Sequence, residues 1–411
     1  MTLDAEENRS HPRGILSLPD DVLLEILAQC DKQTLGRLAC VCRRLLRLTN
    51  DHYVWVTVSK KMTLVGATAE AALKENRPNL SVKELCRLSN NWKKAQMKQR
   101  RVVFYRIRQL PWLQSSGNTL RASYTNSIRC YNKKRDGSLQ EVRSKRFTLH
   151  KDDVCRFSWK GDYIVSGSRD RSLTYMNADT GEFVWRQEEC HASDIHDVDF
   201  HENIVVSGSR DATVKVWSIK DCDHQQQQGR PHHGNGSEYL SYTIPAQDRV
   251  WSVAINPDGR SFAMGTAGIN FVQPLRIWDT ETGRLLGPLG SGYKTGAGVL
   301  NIQYETSQVL LSCGYDTLVR MWDMRTSLSH SVRRWIEPFD STVYCVNSDK
   351  NNAFVSGTAR HGMTRLWDKR MTDPVQVYYT GRSSSPVYSL TFDTSHMYLA
   401  LDQGIHLVNY Y

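Results

Sequence analysis

The 411-residue sequence contains no run of about 18 consecutive apolar residues, the length a helix needs to cross a bilayer, and no CxxC pair among its ten cysteines. Its opening, MTLDAEENRSHPRG, carries acidic and polar residues where a secretory signal has a basic and then an apolar segment. Eight cysteines stand alone (Cys30, Cys86, Cys130, Cys155, Cys190, Cys222, Cys313, Cys345), and Cys40 and Cys42 are two positions apart. That pattern offers neither a disulfide framework nor zinc-ligand spacing. Reduced thiols inside the cell are expected, in the cytoplasm, the nucleus or both, with no membrane contact, no metal and no cofactor. Acidic residues are in deficit: 43 Asp and Glu face 53 Lys and Arg, a formal net charge of +10. Part of the excess is local, because Lys93, Lys94, Lys98, Arg100, Arg101, Arg106 and Arg108 fall in one stretch without an acid. The remaining composition, 40% hydrophobic and 23% charged, is that of an ordinary globular chain.

What is present changes its period near residue 100. Between residues 15 and 55 apolar positions recur at helical spacing. Val22, Leu23, Ile26 and Leu27 share a face of a first helix, opened by Pro19 with Asp20 and Asp21 placed for the macrodipole. Asp31 suits the N-cap of a second helix whose stripe is Leu35, Leu38, Cys42 and Leu45. The two stripes cannot cover one another, so Leu18, Leu24, Val41 and Leu46 are expected to face outward and to need a partner. Residues 58–100 read as a helical linker, with Ser81 and Glu84 as a capping box ahead of Leu85, Leu88 and Trp92.

From residue 101 short alternating runs are divided by Gly, Asp and Asn turns, and they repeat. Four copies are close: 161–185 (GDYIVSGSRDRSLTYMNADTGEFVW), 202–218 (ENIVVSGSRDATVKVWS), 308–327 (QVLLSCGYDTLVRMWDMRTS) and 352–370 (NAFVSGTARHGMTRLWDKR). Looser copies lie at 117–137, 259–283 and 396–411, making seven at a spacing near 40 residues. The last copy ends at its third strand, and RVVFYR (Arg101 to Arg106) alternates like the strand that could complete it.

The repeat resembles the WD-repeat family. Trp217, Trp278, Trp322 and Trp367 stand at that family's third-strand tryptophan, three of them followed by its aspartate (Asp279, Asp323, Asp368), while Met176 and Tyr131 take the place in other copies. His191, Ser207, Asp211 and Trp217 match the hydrogen-bonded tetrad that ties a blade; His150 matches His191, and Asp170 and Asp316 match the turn aspartate. A set containing Ser, His and Asp invites comparison with a catalytic triad, but its recurrence at the blade period argues scaffold. The front resembles the F-box: Leu18-Pro19, Ile26-Leu27, Leu35, Val41-Cys42-Arg43-Arg44 and Trp55 match that motif, with Leu45 where it has a tryptophan. The fold class expected is therefore mainly β: a seven-bladed propeller at 101–411, preceded by a disordered tail (1–14), a small all-α F-box domain (15–57) and the helical linker (58–100).

The joint resemblance, to the F-box/WD-repeat receptors, implies a non-enzymatic substrate-recognition subunit of an SCF-type ubiquitin ligase. It implies a Skp adaptor, and through it a cullin, bound by Leu18, Pro19, Ile26, Leu27, Leu35, Val41, Cys42, Leu45 and Trp55. A target protein would sit on the propeller face where second-to-third-strand turns gather. The SGSRD turn places Arg169 and Arg210 there, and Arg249 and Arg360 lie in turns expected to reach the same face. In the phosphodegron-reading branch of that family an arginine at this position contacts the target's phosphate, a task planar guanidinium forks suit, so the resemblance implies a phosphorylated target. The rival is nucleic-acid binding by the basic stretch together with Lys133, Lys134, Arg135, Lys145 and Arg146. The loop DCDHQQQQGRPHHGNG (221–236) lacks ligand spacing, and GSGYKTG (290–296) lacks the order of a P-loop; both are expected to be propeller loops.

Overall fold

A computed structural model describes residues 14–66, 80–219, 239–270, 272–381 and 384–411, which divide into two compact units at Asn90/Asn91. The described residues thus omit Cys222 and the glutamine- and histidine-rich loop, and nearly all of the N-terminal tail.

The first unit is helical: α1 (Asp20–Gln29), α2 (Lys32–Ala39), α3 (Arg43–Thr49), α4 (His52–Lys60) and the start of α5 (Val82–Lys93). Pro19 caps α1 from outside, and Asp31 caps α2 by accepting the Thr34 N–H at 2.7 Å. The single second helix expected from the sequence is two. Cys42 is extended (φ −157°) and its Sγ accepts the Leu45 N–H at 3.5 Å, so the chain leaves one helix after Ala39 and restarts another. The capping box closes as read: the Ser81 N–H reaches Glu84 Oε2 at 2.9 Å and the Glu84 N–H reaches Ser81 Oγ at 3.2 Å. Leu23, Leu27, Leu35, Leu48, Val54 and Trp55 form the core, and Arg44 laces α3 to the head of α1 through Asp20 (2.8 Å) and the Leu18 carbonyl (2.8 Å).

The second unit is a ring of seven antiparallel sheets, six of them consecutive in sequence at 113–148, 154–187, 195–245, 250–288, 299–336 and 343–379. The seventh comprises Ser389–Phe392, His396–Leu401 and Gly404–Asn409 and is completed by Lys98–Phe104, paired antiparallel with Gly404–Asn409. The closing strand foreseen at 101–106 thus begins three residues earlier, where the linker was expected to be helical. Closure removes the edge that the truncated last repeat would have exposed.

Two devices hold the blades together. The Gly of each SGS turn admits the next blade: a Cβ on Gly167 would stand 2.5 Å from Ile195, and one on Gly208 2.5 Å from Val250. The inner strands leave an edge toward the central channel, and side-chain oxygens of neighbouring blades satisfy it. Gln114 accepts the Trp159 N–H (2.6 Å), Asp199 that of Ile255 (2.8 Å) and Gln303 that of Ser348 (3.1 Å).

Candidate functional site

Blade geometry fixes what can reach the ring's face. In the third blade His191 Nε2 lies 2.9 Å from Ser207 Oγ, His191 Nδ1 lies 3.0 Å from Asp211 Oδ2, and Trp217 Nε1 donates to Ser207 Oγ at 3.0 Å. Burial drives the His191 pKa down against the pull of Asp211; burial also opposes ionisation of Asp211, but hydrogen bonds from His191 and Thr213 outweigh it. A neutral histidine and an ionised aspartate hold one tight turn, in which Asp211 Oδ1 accepts the Thr213 N–H (2.9 Å) and Ala212 adopts φ 64°. The second blade repeats this with His150, Ser166 and Asp170, a buried Met176 filling the tryptophan place. In the fifth and sixth blades Trp322 and Trp367 keep their bond to a serine, at 2.9 and 2.8 Å. Trp278 has none among the described residues, because Met264 occupies the serine position.

Those anchored turns bring Arg169 and Arg210 to one cavity of about 420 Å³ at the mouth of the channel. Their backbone N–H groups bond the carbonyls of Asp153 (3.0 Å) and Asp194 (2.9 Å), and their guanidinium groups stay near the same residues' carboxylates, at 3.5 and 3.8 Å. Arg249 and Arg360 were expected at the same site; both are exposed turn residues and neither lines the cavity. Arg249 occupies the turn before an inner strand, the place of Asp153 and Asp194, and Arg360 lies one residue beyond the place of Arg169 and Arg210, as the backbone bonds Ala267 N–H to Arg249 O and Ala359 N–H to Thr342 O show.

What sequence reading missed is the collar between these arginines. Five inner strands carry a register break at the same place, leaving Cys155, His196, Trp251, Leu300 and Tyr344 as the unpaired residue. A bulge re-aims its side chain, and all five line the cavity, joined by Pro111 and Tyr388 at the matching position of the remaining blades. Four of the seven are aromatic, counting His196, and Trp112 and Tyr315 add further rings beside them. Tyr344 meets Tyr388 edge-on at 5.9 Å, and His196 stacks on Trp251 at 4.5 Å. Below the collar Arg156 is held by Asp197 (3.0 Å), the Leu300 carbonyl (2.9 Å) and the face of Trp112 (4.3 Å). The signal was available: the residue after the valine or isoleucine opening each inner strand is the one to read across repeats.

On the helical unit the residues matched to the F-box separate into two sets. Leu27, Leu35, Leu45 and Trp55 are buried and build the core, so they are not a contact surface; Trp55 Nε1 also donates to the Thr49 carbonyl at 2.8 Å. Leu18 and Cys42 are half-buried, the second spent as a helix cap. Pro19, Ile26 and Val41 are exposed, with Val22, Leu46 and Tyr53 beside them in the sequence pattern, Val41 most of all at 63%.

The F-box-like family matches residues 15–61, and the WD domain, G-beta repeat family matches residues 141–174 and 183–218. The chain belongs to the F-box/WD-repeat proteins. F-box/WD repeat-containing protein 4 of Mus musculus, dactylin, is 37% identical over 396 residues, covering 96% of this chain and 92% of that protein. The Homo sapiens protein of the same name matches at 37% over the same shares. Among solved structures, the WD40 beta propeller domain of Doa1 superposes with a TM-score of 0.57 at 14% identity, covering 76% of this chain and 96% of that one, a likeness of fold alone.

Proposed function

We propose that the chain is the substrate-recognition subunit of an SCF-type E3 ubiquitin ligase, working inside the cell. The Skp adaptor, and through it a cullin, binds the helical unit; a target protein, selected in its phosphorylated form, binds the mouth of the propeller. The observation that carries this reading is the set of apolar side chains left in water on the helical unit, Val41 and Leu46 foremost, on a fold too small to lose them without cause. The role is positional. Holding target and ligase on one chain converts a bimolecular encounter into a local one, so no reacting group is needed here.

Arg169 and Arg210 support an anionic target, and the collar supports an apolar or aromatic contact next to it. The nucleic-acid reading is weaker, because five of the twelve basic residues it uses already face a carboxylate. Arg100 lies 2.7 Å from Asp136, Arg108 3.4 Å from Asp402, Lys133 3.5 Å from Asp393, Lys145 2.6 Å from Asp179 and Arg146 3.5 Å from Glu141.

The test is affinity purification of the wild-type chain beside Val41→Asp/Leu46→Asp. Adaptor and cullin are expected with the wild type and at least about tenfold less with the variant, at an unchanged melting temperature. Their absence from the wild type, or equal recovery with both, sinks the proposal.

A further inference from the structure

The side of the fifth blade carries a second open cavity, of about 700 Å³, well away in sequence from the arginines of the mouth. Its lining includes Arg320, His330, Arg333 and Arg334 and no aspartate or glutamate. Arg320 and Arg334 stand directly opposite one another on neighbouring strands. Like charges in that register repel unless something neutralises them. Asp316 neutralises Arg320 at 2.5 Å, and the Tyr293 ring, 4.5 Å away, covers the same guanidinium. Arg334 is exposed, and its guanidinium has no ionic or hydrogen-bond partner among the described residues. Opposite it the Gly290–Tyr293 segment is pinned by its first two N–H groups, from Gly290 to the Leu328 carbonyl (2.8 Å) and from Ser291 to that of Ser329 (3.1 Å). The next two N–H groups, of Gly292 and Tyr293, find no acceptor among the described residues. A loop with two consecutive unpaired N–H groups and an uncompensated guanidinium line the same cavity, a set of donors without an acceptor.

We infer that this groove binds a phosphoryl group carried on a segment of a partner protein, at a site separate from the mouth. A peptide is favoured over nucleic acid because Val332 and Met371, 41% and 51% exposed, border the groove and offer apolar contact to side chains flanking the phosphate. A duplex or single strand would need a basic track continuing beyond it. The inference stands apart from the ligase reading, which uses neither the groove nor its residues.

The test uses the full chain purified with its adaptor, or alone if no adaptor is recovered. The probe is a fluorescent degenerate peptide pool with one fixed phosphothreonine, measured by polarisation against the same pool with threonine. The variants are Arg334→Gln/His330→Gln and Arg169→Gln/Arg210→Gln, each first shown to melt with the wild type. The phosphorylated pool is expected to bind at least about tenfold more tightly than its control. The groove variant should remove a component of that binding that the mouth variant leaves in place, and single-stranded RNA should not displace it. Absence of phosphate-dependent binding, an unchanged isotherm in the groove variant, loss of all binding in the mouth variant alone, or displacement by RNA would each overturn the assignment.

Discussion

Arg156 on the second blade and Asp197 on the third meet at 3.0 Å beneath the collar, and each is the other's principal counter-charge in a nearly dry site. Burial pushes the Asp197 carboxyl up to about 6 in spite of the guanidinium beside it. Arg156→Met is therefore expected to cost about 3–5 kcal/mol, because it strands a buried carboxylate, whereas Arg156→Met/Asp197→Asn should cost clearly less. Urea unfolding of the two variants measures this. A single substitution no worse than the double shows that the pair does not hold the blades.

Two tryptophans at the same repeat position are expected to respond unequally to the same change. Trp217→Phe removes the 3.0 Å bond to Ser207 and leaves that buried hydroxyl one donor short, at a cost of about 1–3 kcal/mol. Trp278→Phe removes a buried donor that has no acceptor among the described residues, and should change stability by less than about 0.5 kcal/mol in either direction. Equal losses in thermal unfolding would mean that ring volume alone matters at this position.

The contrast also marks what the sequence could and could not disclose. Repetition made the blades legible, since Trp217, Asp211 and His191 have counterparts in other copies at a spacing near 40 residues, and the missing fourth strand pointed to RVVFYR. The break at Cys40–Cys42 was hidden because a thiol serving as a cap leaves no mark on hydrophobic spacing. The resemblance implies adaptor contact at Leu27, Leu35, Leu45 and Trp55, which the fold buries, since a short motif records which residues recur, not which side they face. The collar escaped because it depends on a bulge: one unpaired residue reverses a strand's alternation, and Cys155, Leu300 and Tyr344 share no chemistry that would reveal their common position.

Acid is expected to destabilise the ring through histidines buried in the neutral form. Burial lowers the pKa of His191 and of His196, and burial with the neighbouring Arg101 takes His406 down to about 4 from an ordinary 6.5. The unfolded chain binds these protons near 6.5, whereas the folded chain resists them, so stability present above that pH is lost as the pH falls. Asp197 acts in the other sense, since its raised pKa favours the folded state below about 6. With three groups against one, the melting temperature should fall between pH 7 and pH 5, and His406→Gln should flatten that slope. A midpoint that is level or rises over the same range contradicts the account.

At the mouth the charges nearly cancel, and this ranks the contributions to target binding. Arg169 and Arg210 face Asp153 and Asp194 at 3.5 and 3.8 Å, so an incoming anion must share each guanidinium with a carboxylate already there. The rings have no such competitor, and covering one with a target side chain is worth about 1–3 kcal/mol. Tyr344→Ala/Tyr388→Ala should therefore reduce capture of target proteins by about tenfold to a hundredfold. Arg169→Glu/Arg210→Glu should reduce chiefly the capture of phosphorylated ones, and Arg249→Glu/Arg360→Glu, outside the cavity, should change it less than about twofold. The proteins to count are those that accumulate on Val41→Asp/Leu46→Asp, held by the ring but not passed to the ligase, quantified by mass spectrometry in that background. If the tyrosine pair can be removed without loss while the Arg249 and Arg360 substitutions release the targets, the binding face is not the collar but the outer turns.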